Sequence, residues 1–153
     1  MRVFVYGTLM VPELVEALTG QRPRARFAEL EGFERRAVRG EVYPAIVPAP
    51  GGRVAGLLLD RLPTHRLAFL DAFEGDEYRR STRRVRLADD RHVLAWCWSW
   101  APDRRRALEA GPWDMDVFLR DALPDYLRRC RRLGRAFRVP RASRAGRAAF
   151  RVP

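Results

Sequence analysis

The sequence contains no lysine and no asparagine, so all 30 of its basic residues are arginine. Such a complete replacement, together with abundant alanine, glycine and proline, is typical of a GC-rich coding bias. The formal net charge of +11 therefore gives little support for specific nucleic-acid binding. A basic surface still attracts phosphate and other anions, so only non-specific contact of that kind is expected.

Cysteine is scarce, and long apolar runs are absent. The two cysteines, Cys97 and Cys130, form no pair with metal-ligand spacing, which favours free thiols in a reducing compartment. The first apolar run, residues 3–6, is too short for a secretory segment, and no stretch approaches the roughly 18 apolar residues that span a bilayer. These absences predict a cytoplasmic protein without a membrane partner.

The positive charge is concentrated at the C-terminal end. Residues 131–153 carry eight arginines and no acidic residue, which leaves 22 basic and 19 acidic residues, a net charge of +3, for residues 1–130. This end also repeats the sequence Ala-Phe-Arg-Val-Pro, at residues 136–140 and 149–153, and lacks apolar periodicity. We predict one folded domain over residues 1–132 and a disordered, arginine-rich tail over residues 133–153.

The order of the predicted elements indicates an α+β fold. Runs rich in β-branched and aromatic residues predict strands at residues 2–6, 25–31, 35–42, 54–59, 83–87 and 92–100. Helical spacing of apolar residues predicts helices that begin near Pro12, Pro63 and Asp114, the last with a kink at Pro124. Prolines and glycines predict a turn at residues 48–52. Since strands and helices do not alternate strictly, we expect a small mixed, barrel-like sheet with flanking helices.

A glycine follows directly on the first predicted strand, in the sequence Tyr6-Gly7-Thr8-Leu9. Glycine at such a place lets main-chain N–H groups approach a ligand, because no Cβ intervenes, and such a loop can hold a carboxylate or an oxyanion. The same sequence also suits a plain strand-to-helix turn. Its spacing matches neither the dinucleotide-binding nor the P-loop glycine motif, which excludes both.

Four acidic residues lie within seven positions between a predicted helix and the next strand: Asp71, Glu74, Asp76 and Glu77. Repulsion among like charges raises the pKa of at least one of these carboxyl groups, and partial burial near Phe73 adds to that effect. A glutamate with a raised pKa is a suitable general base near neutral pH. The alternative is a solvated acidic loop that pairs with the arginines that follow, Arg79, Arg80, Arg83 and Arg84.

Together the two motifs resemble those of the γ-glutamylcyclotransferase superfamily, in particular its γ-glutamylamine cyclotransferase branch and the plant avirulence-induced relatives. The turn at residues 6–9 is followed about 65 residues later by Leu-Asp-x-Phe-Glu-Gly at residues 70–75 and by Tyr78-x-Arg80. Residues 40–45 and 54–58 resemble the middle strands of that family. The resemblance covers residues 2–130 and leaves the arginine-rich tail outside.

The resemblance implies an α+β fold with a small barrel and a cleft, Glu74 as general base, and substrate binding by the turn at residues 6–9. It places Tyr78 where the family keeps a tyrosine. The implied reaction is an intramolecular acyl transfer, in which the α-amino group of a γ-glutamyl compound attacks its own γ-carbonyl and releases 5-oxoproline and an amine. The implied partner is a small γ-glutamyl molecule, and neither a metal nor a cofactor is implied.

Several alternatives stay open. Tyr6 and Tyr78 suit a cleft or a core equally, and Arg79 or Arg80 is a candidate for contact with a substrate carboxylate. Another acyl-transfer or lyase reaction in the same cleft is a second possible function. A third is a non-catalytic module of the same fold that binds an anionic partner, with non-specific nucleic-acid contact through the tail. The sequence indicates no particular oligomeric state.

Overall fold

The computed structural model describes residues 1–138; the remainder of the predicted tail, residues 139–153, lies outside the described part. The strands and helices in chain order are β1 (Val3–Val5), α1 (Pro12–Thr19), β2 (Arg24–Ala37), β3 (Pro44–Asp60), α2 (Leu67–Glu74), β4 (Tyr78–Leu87), β5 (His92–Trp100), α3 (Met115–Val117) and α4 (Leu123–Arg138). None of the described helices combines the length and the apolar character needed to cross a bilayer.

Five strands close into a barrel in the order β1-β3-β2-β4-β5. Neighbouring strands are antiparallel, except that β1 and β5 meet in parallel where Val3 lies opposite Trp96. The closed barrel with helices around it confirms the predicted α+β class and the small mixed, barrel-like sheet.

The sheet is apolar on both faces. One face fills the barrel interior, with Phe4, Tyr6, Ala28, Leu30, Phe33, Ile46, Val54, Leu58, Val85, Leu87, Ala95 and Cys97. The other face packs under the helices, and Val3 and Val5 belong to it together with Leu14 and Leu18 of α1. Because successive strand residues point to opposite faces, a strand buried on both sides is a continuous apolar run, and this explains the sequence of β1.

The predicted turn at residues 48–52 does not end a strand, and the prediction of separate strands at residues 25–31 and 35–42 is also wrong. Residues 25–31 and 35–37 belong to one long strand, β2, whereas residues 38–43, of which the sequence assigned 38–42 to a strand, connect it to β3. β3 continues through residues 48–52, and the two strands pair on both sides of this segment. Residues 49–52 lie opposite the single residue Gly32, and Gly32 and Gly51 both adopt left-handed backbone (φ +77 and +76). The glycines and prolines therefore form a bulge that bends the sheet.

The predicted kink at Pro124 has a structural counterpart. A π-helical turn at Phe118–Ala122 separates α3 from α4 just before this proline. Proline lacks an N–H group and clashes with the carbonyl one turn earlier, and a wider turn relieves both problems. The helical region begins where predicted, because the Asp114 carboxylate accepts hydrogen bonds from the N–H groups of Asp116 (2.8 Å) and Val117 (3.2 Å).

The final helix extends further than the sequence indicates. Residues 133–138, which the sequence assigns to the tail, are the last residues of α4. Gly134 permits α4 to lie against α1, since a Cβ at this position would be 2.0 Å from the Ala17 carbonyl oxygen. Gly134, which the sequence assigns to the disordered tail, therefore allows α4 to pack closely against α1.

Candidate active site

Glu74 is the last residue of α2, and Gly75 ends that helix in a left-handed conformation (φ +74). Phe69 and Leu70 anchor α2 on the core, which holds the end of the helix against one end of the barrel. The Glu74 side chain is only partly exposed. No described residue donates a hydrogen bond to its carboxylate or forms an ion pair with it.

Burial raises the pKa of the Glu74 carboxyl to about 8, and the negative charge of Asp71 adds to the increase. Asp71 is itself held in place, since it accepts hydrogen bonds from the Trp98 indole (3.1 Å) and from Arg80 (2.7 Å). A carboxyl group with a pKa of about 8 can accept and release a proton near neutral pH. The alternative of a fully paired acidic loop therefore describes Asp71 but not Glu74.

Several elements meet around the Glu74 carboxyl. Its negative charge raises the pKa of side chains at the end of β1, the start of β4, the middle of β5 and the first turn of α4: Tyr6, Tyr78, Cys97 and Tyr126. The turn after β1 also contacts α4, because Thr8 forms a side-chain hydrogen bond with Tyr126. The fold thus brings the turn after β1 and the acidic loop to the same end of the barrel.

Tyr6 and Tyr78 are buried beside Glu74, and main-chain oxygens accept hydrogen bonds from their hydroxyl groups. The Tyr6 hydroxyl donates to the Trp98 carbonyl (2.7 Å), and the Tyr78 hydroxyl donates to the Pro44 carbonyl (2.8 Å). Burial raises the pKa of both well above the usual tyrosine value, so both rings are neutral. They are core residues and neighbours of Glu74 at the same time.

The turn after β1 is a single 3-10 turn, Thr8–Met10, in which the Met10 N–H group donates to the Gly7 carbonyl (2.9 Å). The N–H groups of Gly7, Thr8 and Leu9 find no acceptor among the described residues, as expected at the start of a helical turn. Glycine is required here because a Cβ would be 2.6 Å from Cγ of Pro44. The turn therefore presents a row of unpaired donors.

Arg35 also belongs to this end of the barrel, although the sequence did not single it out. Its guanidinium donates to the Tyr6 carbonyl (2.7 Å) and lies 5.4 Å from the centre of the Trp113 ring. Burial lowers its pKa. No sequence signal singles it out, because the pairing that sets Arg35 opposite Ile46, a residue of the barrel interior, is seen only in the structure.

The two arginines that the sequence suggested for a substrate carboxylate already have acceptors. Arg80 pairs with Asp71 and lies over the Trp96 ring at 4.7 Å. Arg79 donates to the Asp76 carbonyl (2.8 Å).

Both cysteines are buried free thiols, as predicted. Within residues 1–138 no group of three or more His, Cys, Asp or Glu side chains is placed to hold a metal ion.

Comparisons with known proteins show which family the sequence matches. A family model described as gamma-glutamyl cyclotransferase, AIG2-like, matches residues 3–115. AIG2-like protein D from Arabidopsis thaliana is 32% identical over 142 residues, which cover 92% of this chain and 93% of the relative. AIG2-like protein C from the same plant is 33% identical over 143 residues, covering 92% and 81%.

Solved structures share the fold. The solution structure of an Arabidopsis thaliana protein superimposes with a TM-score of 0.67 at 27% identity, over 91% of this chain and 93% of that one. A gamma-glutamyl cyclotransferase superimposes with a TM-score of 0.60 over 97% and 93% of the two chains. At 13% identity the second likeness supports the fold alone.

Proposed function

The chain belongs to the gamma-glutamyl cyclotransferase, AIG2-like family, and on that premise we propose that it is an acyltransferase that converts a γ-glutamyl amine or related γ-glutamyl compound into 5-oxoproline and a free amine. The observation that carries the proposal is the Glu74 carboxyl, which has no partner, has a pKa of about 8, and lies where the turn after β1 presents unpaired N–H groups.

Glu74 acts as the proton carrier. The α-amino group of the substrate must lose a proton before it attacks, because an ammonium has no free electron pair. That first proton is lost to solvent, and the Glu74 carboxylate takes a second proton from the attacking nitrogen as the new C–N bond forms at the γ-carbonyl. When the original amide bond breaks, Glu74 returns the proton to the leaving nitrogen, so the enzyme ends in its starting state.

The turn after β1 binds the glutamyl half of the substrate. The N–H groups of Gly7, Thr8 and Leu9 can donate to the α-carboxylate or to the oxyanion that develops on the γ-carbonyl. Loss of one such donor from an oxyanion site typically costs about 2.7–4 kcal/mol of transition-state stabilisation. Tyr6 and Tyr78 complete the site as rigid neutral walls that displace water from the Glu74 carboxyl.

Positioning supplies much of the remaining rate enhancement. The nucleophile and the carbonyl belong to one molecule, and the uncatalysed reaction is slow because the chain seldom folds with the two groups in contact. Holding reacting groups in the productive arrangement can contribute on the order of 7–11 kcal/mol in favourable cases. The bound glutamyl chain must therefore be bent, with its amine directed at its own carbonyl and near Glu74.

The product identifies the reaction. Purified protein is incubated with γ-glutamyl-ε-lysine, with γ-glutamyl dipeptides and with glutathione, and 5-oxoproline and glutamate are separated by chromatography. We expect 5-oxoproline with an equal amount of free amine from at least one of these compounds. Release of glutamate would indicate hydrolysis, and absence of both products from every compound would contradict the proposal.

We also propose a cytoplasmic location, which the two buried free thiols support.

A further inference from the structure

The guanidinium of Arg35 contacts two groups at the end of the barrel that holds Glu74. It donates a hydrogen bond to the Tyr6 carbonyl (2.7 Å), and it lies over the Trp113 ring at 5.4 Å from the ring centre. Trp113 is buried, and its indole N–H group donates to the Val42 carbonyl (2.8 Å), which fixes the ring. The two contacts together hold the guanidinium in place.

No described carboxylate forms an ion pair with Arg35. Its neighbour in β2, Arg36, pairs with Glu34 in the ordinary way. Partial burial of a guanidinium without an acidic partner is unfavourable, because the charge loses part of its hydration. The side-chain contact that Arg35 makes in return is the hydrogen bond to the Tyr6 carbonyl, so the importance of this arginine depends on what that oxygen does.

The Tyr6 carbonyl belongs to the same peptide unit as the Gly7 N–H group. This peptide is trans, and in a planar trans peptide the C=O and N–H bonds point in opposite directions. The Gly7 N–H group therefore points away from Arg35, and it has no acceptor among the described residues. A hydrogen bond from a cation to the carbonyl also polarises the peptide, which makes its N–H group a stronger donor.

The orientation of this peptide needs an external support. Pairing of β1 with β3 ends at Val5, so the strand ladder does not extend to the Tyr6 carbonyl. Gly7 has the freest backbone of any residue, and it cannot be exchanged for a stiffer one because a Cβ would be 2.6 Å from the Pro44 ring. Arg35 supplies from β2 the restraint that neither the ladder nor a side chain at residue 7 provides.

We infer that Arg35 is a positioning residue for the proposed reaction: by holding the Tyr6 carbonyl it directs the Gly7 N–H group toward the bound glutamyl half of the substrate. This rests on the proposed function and extends it to a residue that touches neither the reacting atoms nor the transferred proton. The role is separate from that of Glu74, because the raised pKa of that carboxyl comes from burial and from Asp71.

Kinetics give the first test. Arg35→Met should lower kcat/KM for a γ-glutamyl substrate about tenfold or more, a smaller loss than the 10²–10³-fold typical of deleting a donor from an oxyanion site. Arg35→Lys keeps the charge but not the planar group that lies over Trp113, so it should recover part of the loss. Arg36→Met, on the opposite face of β2, is the matched control and should retain full activity. The pH at which kcat/KM levels off should be the same in all three variants, since Arg35 does not set the pKa of Glu74.

Binding of the product, 5-oxoproline, separates positioning from a structural role. In ¹H–¹⁵N spectra, added 5-oxoproline should shift the Gly7 amide proton downfield as it becomes a hydrogen-bond donor. Arg35→Met should reduce this shift and raise the calorimetric Kd about tenfold, with one binding site per chain retained. A structural role predicts a lower Tm and fewer binding sites, with the Kd of the remaining folded protein unchanged. Arg35→Gln, which also lacks the charge, replaces the methionine variant if that variant fails to fold.

The amide signal keeps the inference separate from the reaction itself. A Gly7 amide that does not respond to 5-oxoproline, or that responds equally in Arg35→Met, would overturn the inference, and 5-oxoproline formation by the same samples would leave the cyclotransferase proposal standing. A pH profile that moves in Arg35→Met would also overturn it, since Arg35 would then act on Glu74. A response of Gly7 that depends on Arg35 supports the inference even if no substrate is turned over.

Discussion

The two ends of the barrel differ in the state of their acidic side chains. Asp60, at the end where β1 begins, forms ion pairs, whereas Glu74, at the end where β1 stops, has no partner among the described residues. The first end opens into a cleft of about 980 Å³, lined by Met1, Arg2, Arg24, Ala25, Arg26, Asp60, Arg61, Thr82, Leu94, Ala95 and Trp96. Its single acid, Asp60, forms ion pairs with Arg2 and Arg26. At the second end, Glu74 has neither an ion pair nor a hydrogen bond among the described residues.

The end of the barrel with the open cleft is not the end with the carboxyl group of raised pKa. The open cleft has room for a small molecule, but its acid already forms ion pairs with neighbouring guanidinium groups. The Glu74 carboxyl keeps a pKa of about 8 because the fold buries it and places another acid beside it. The proposed function assigns the reaction to the end with the unpaired carboxyl and not to the open cleft.

The largest expected effect follows from removing the unpaired carboxyl. Glu74→Gln keeps the shape of the side chain but removes the proton carrier, so the rate of 5-oxoproline formation should fall on the order of 10²–10⁴-fold. Asp76→Asn, an exposed acid of the same loop, and Asp60→Asn, the acid of the open cleft, should retain activity. A comparable loss in Asp60→Asn would reverse the assignment of the two ends.

A second large effect is expected at Gly7. In Gly7→Ala the new Cβ would lie 2.6 and 2.8 Å from Cγ and Cδ of Pro44, whose ring has little freedom to move. We expect a loss of about 1–3 kcal/mol in unfolding free energy, and lower activity because the neighbouring N–H groups shift. Urea unfolding and kcat/KM measure the two effects. Gly111→Ala, where a Cβ meets nothing within 4 Å, should change neither.

The residues of the proposed active site could be singled out from the sequence. Glu74 and the turn at residues 6–9 are local motifs, and local motifs can be recognised without knowing which strands pair. The face on which each arginine of β4 lies could not be predicted, because arginines occupy both faces of this strand and only closure of the barrel decides which face is enclosed. For the same reason the sequence could not show that Arg80 pairs with Asp71.

The prediction of a turn at residues 48–52 was wrong for a related reason, because long-range strand pairing decides the conformation of this segment. Prolines and glycines at residues 48–52 suit a turn and a bulge equally well, and the long pairing of β3 with β2 decides between them. The end of α4 also depends on distant contacts, since Gly134 is needed where α4 crosses Ala17 of α1. Both errors concern residues whose conformation is determined by partners far away in the sequence.

The pH profile tests the origin of the raised pKa. Glu74 acts as a base only when it is deprotonated, so kcat/KM should rise with pH and level off above about 8. Asp71→Asn removes the neighbouring negative charge and keeps one of the two oxygens, which can accept from either Trp98 or Arg80, so the inflection should move to lower pH. An inflection that stays in place would show that burial alone sets the value.

The last effect concerns stability, and its sign is fixed by the same carboxyl. The pKa of Glu74 is raised from 4.5 to about 8 on folding, so the folded state holds this proton more tightly than the unfolded state. The resulting stabilisation is complete below about pH 4.5 and is lost as the pH rises toward 8. Because Gln mimics the protonated form at every pH, the Tm of Glu74→Gln should exceed that of the unmodified protein by a margin that grows across this interval. Asp60→Asn, which removes a paired acid at the other end, should show no such growth; a constant margin for Glu74→Gln would mean that Glu74 ionises in the folded protein as it does in water.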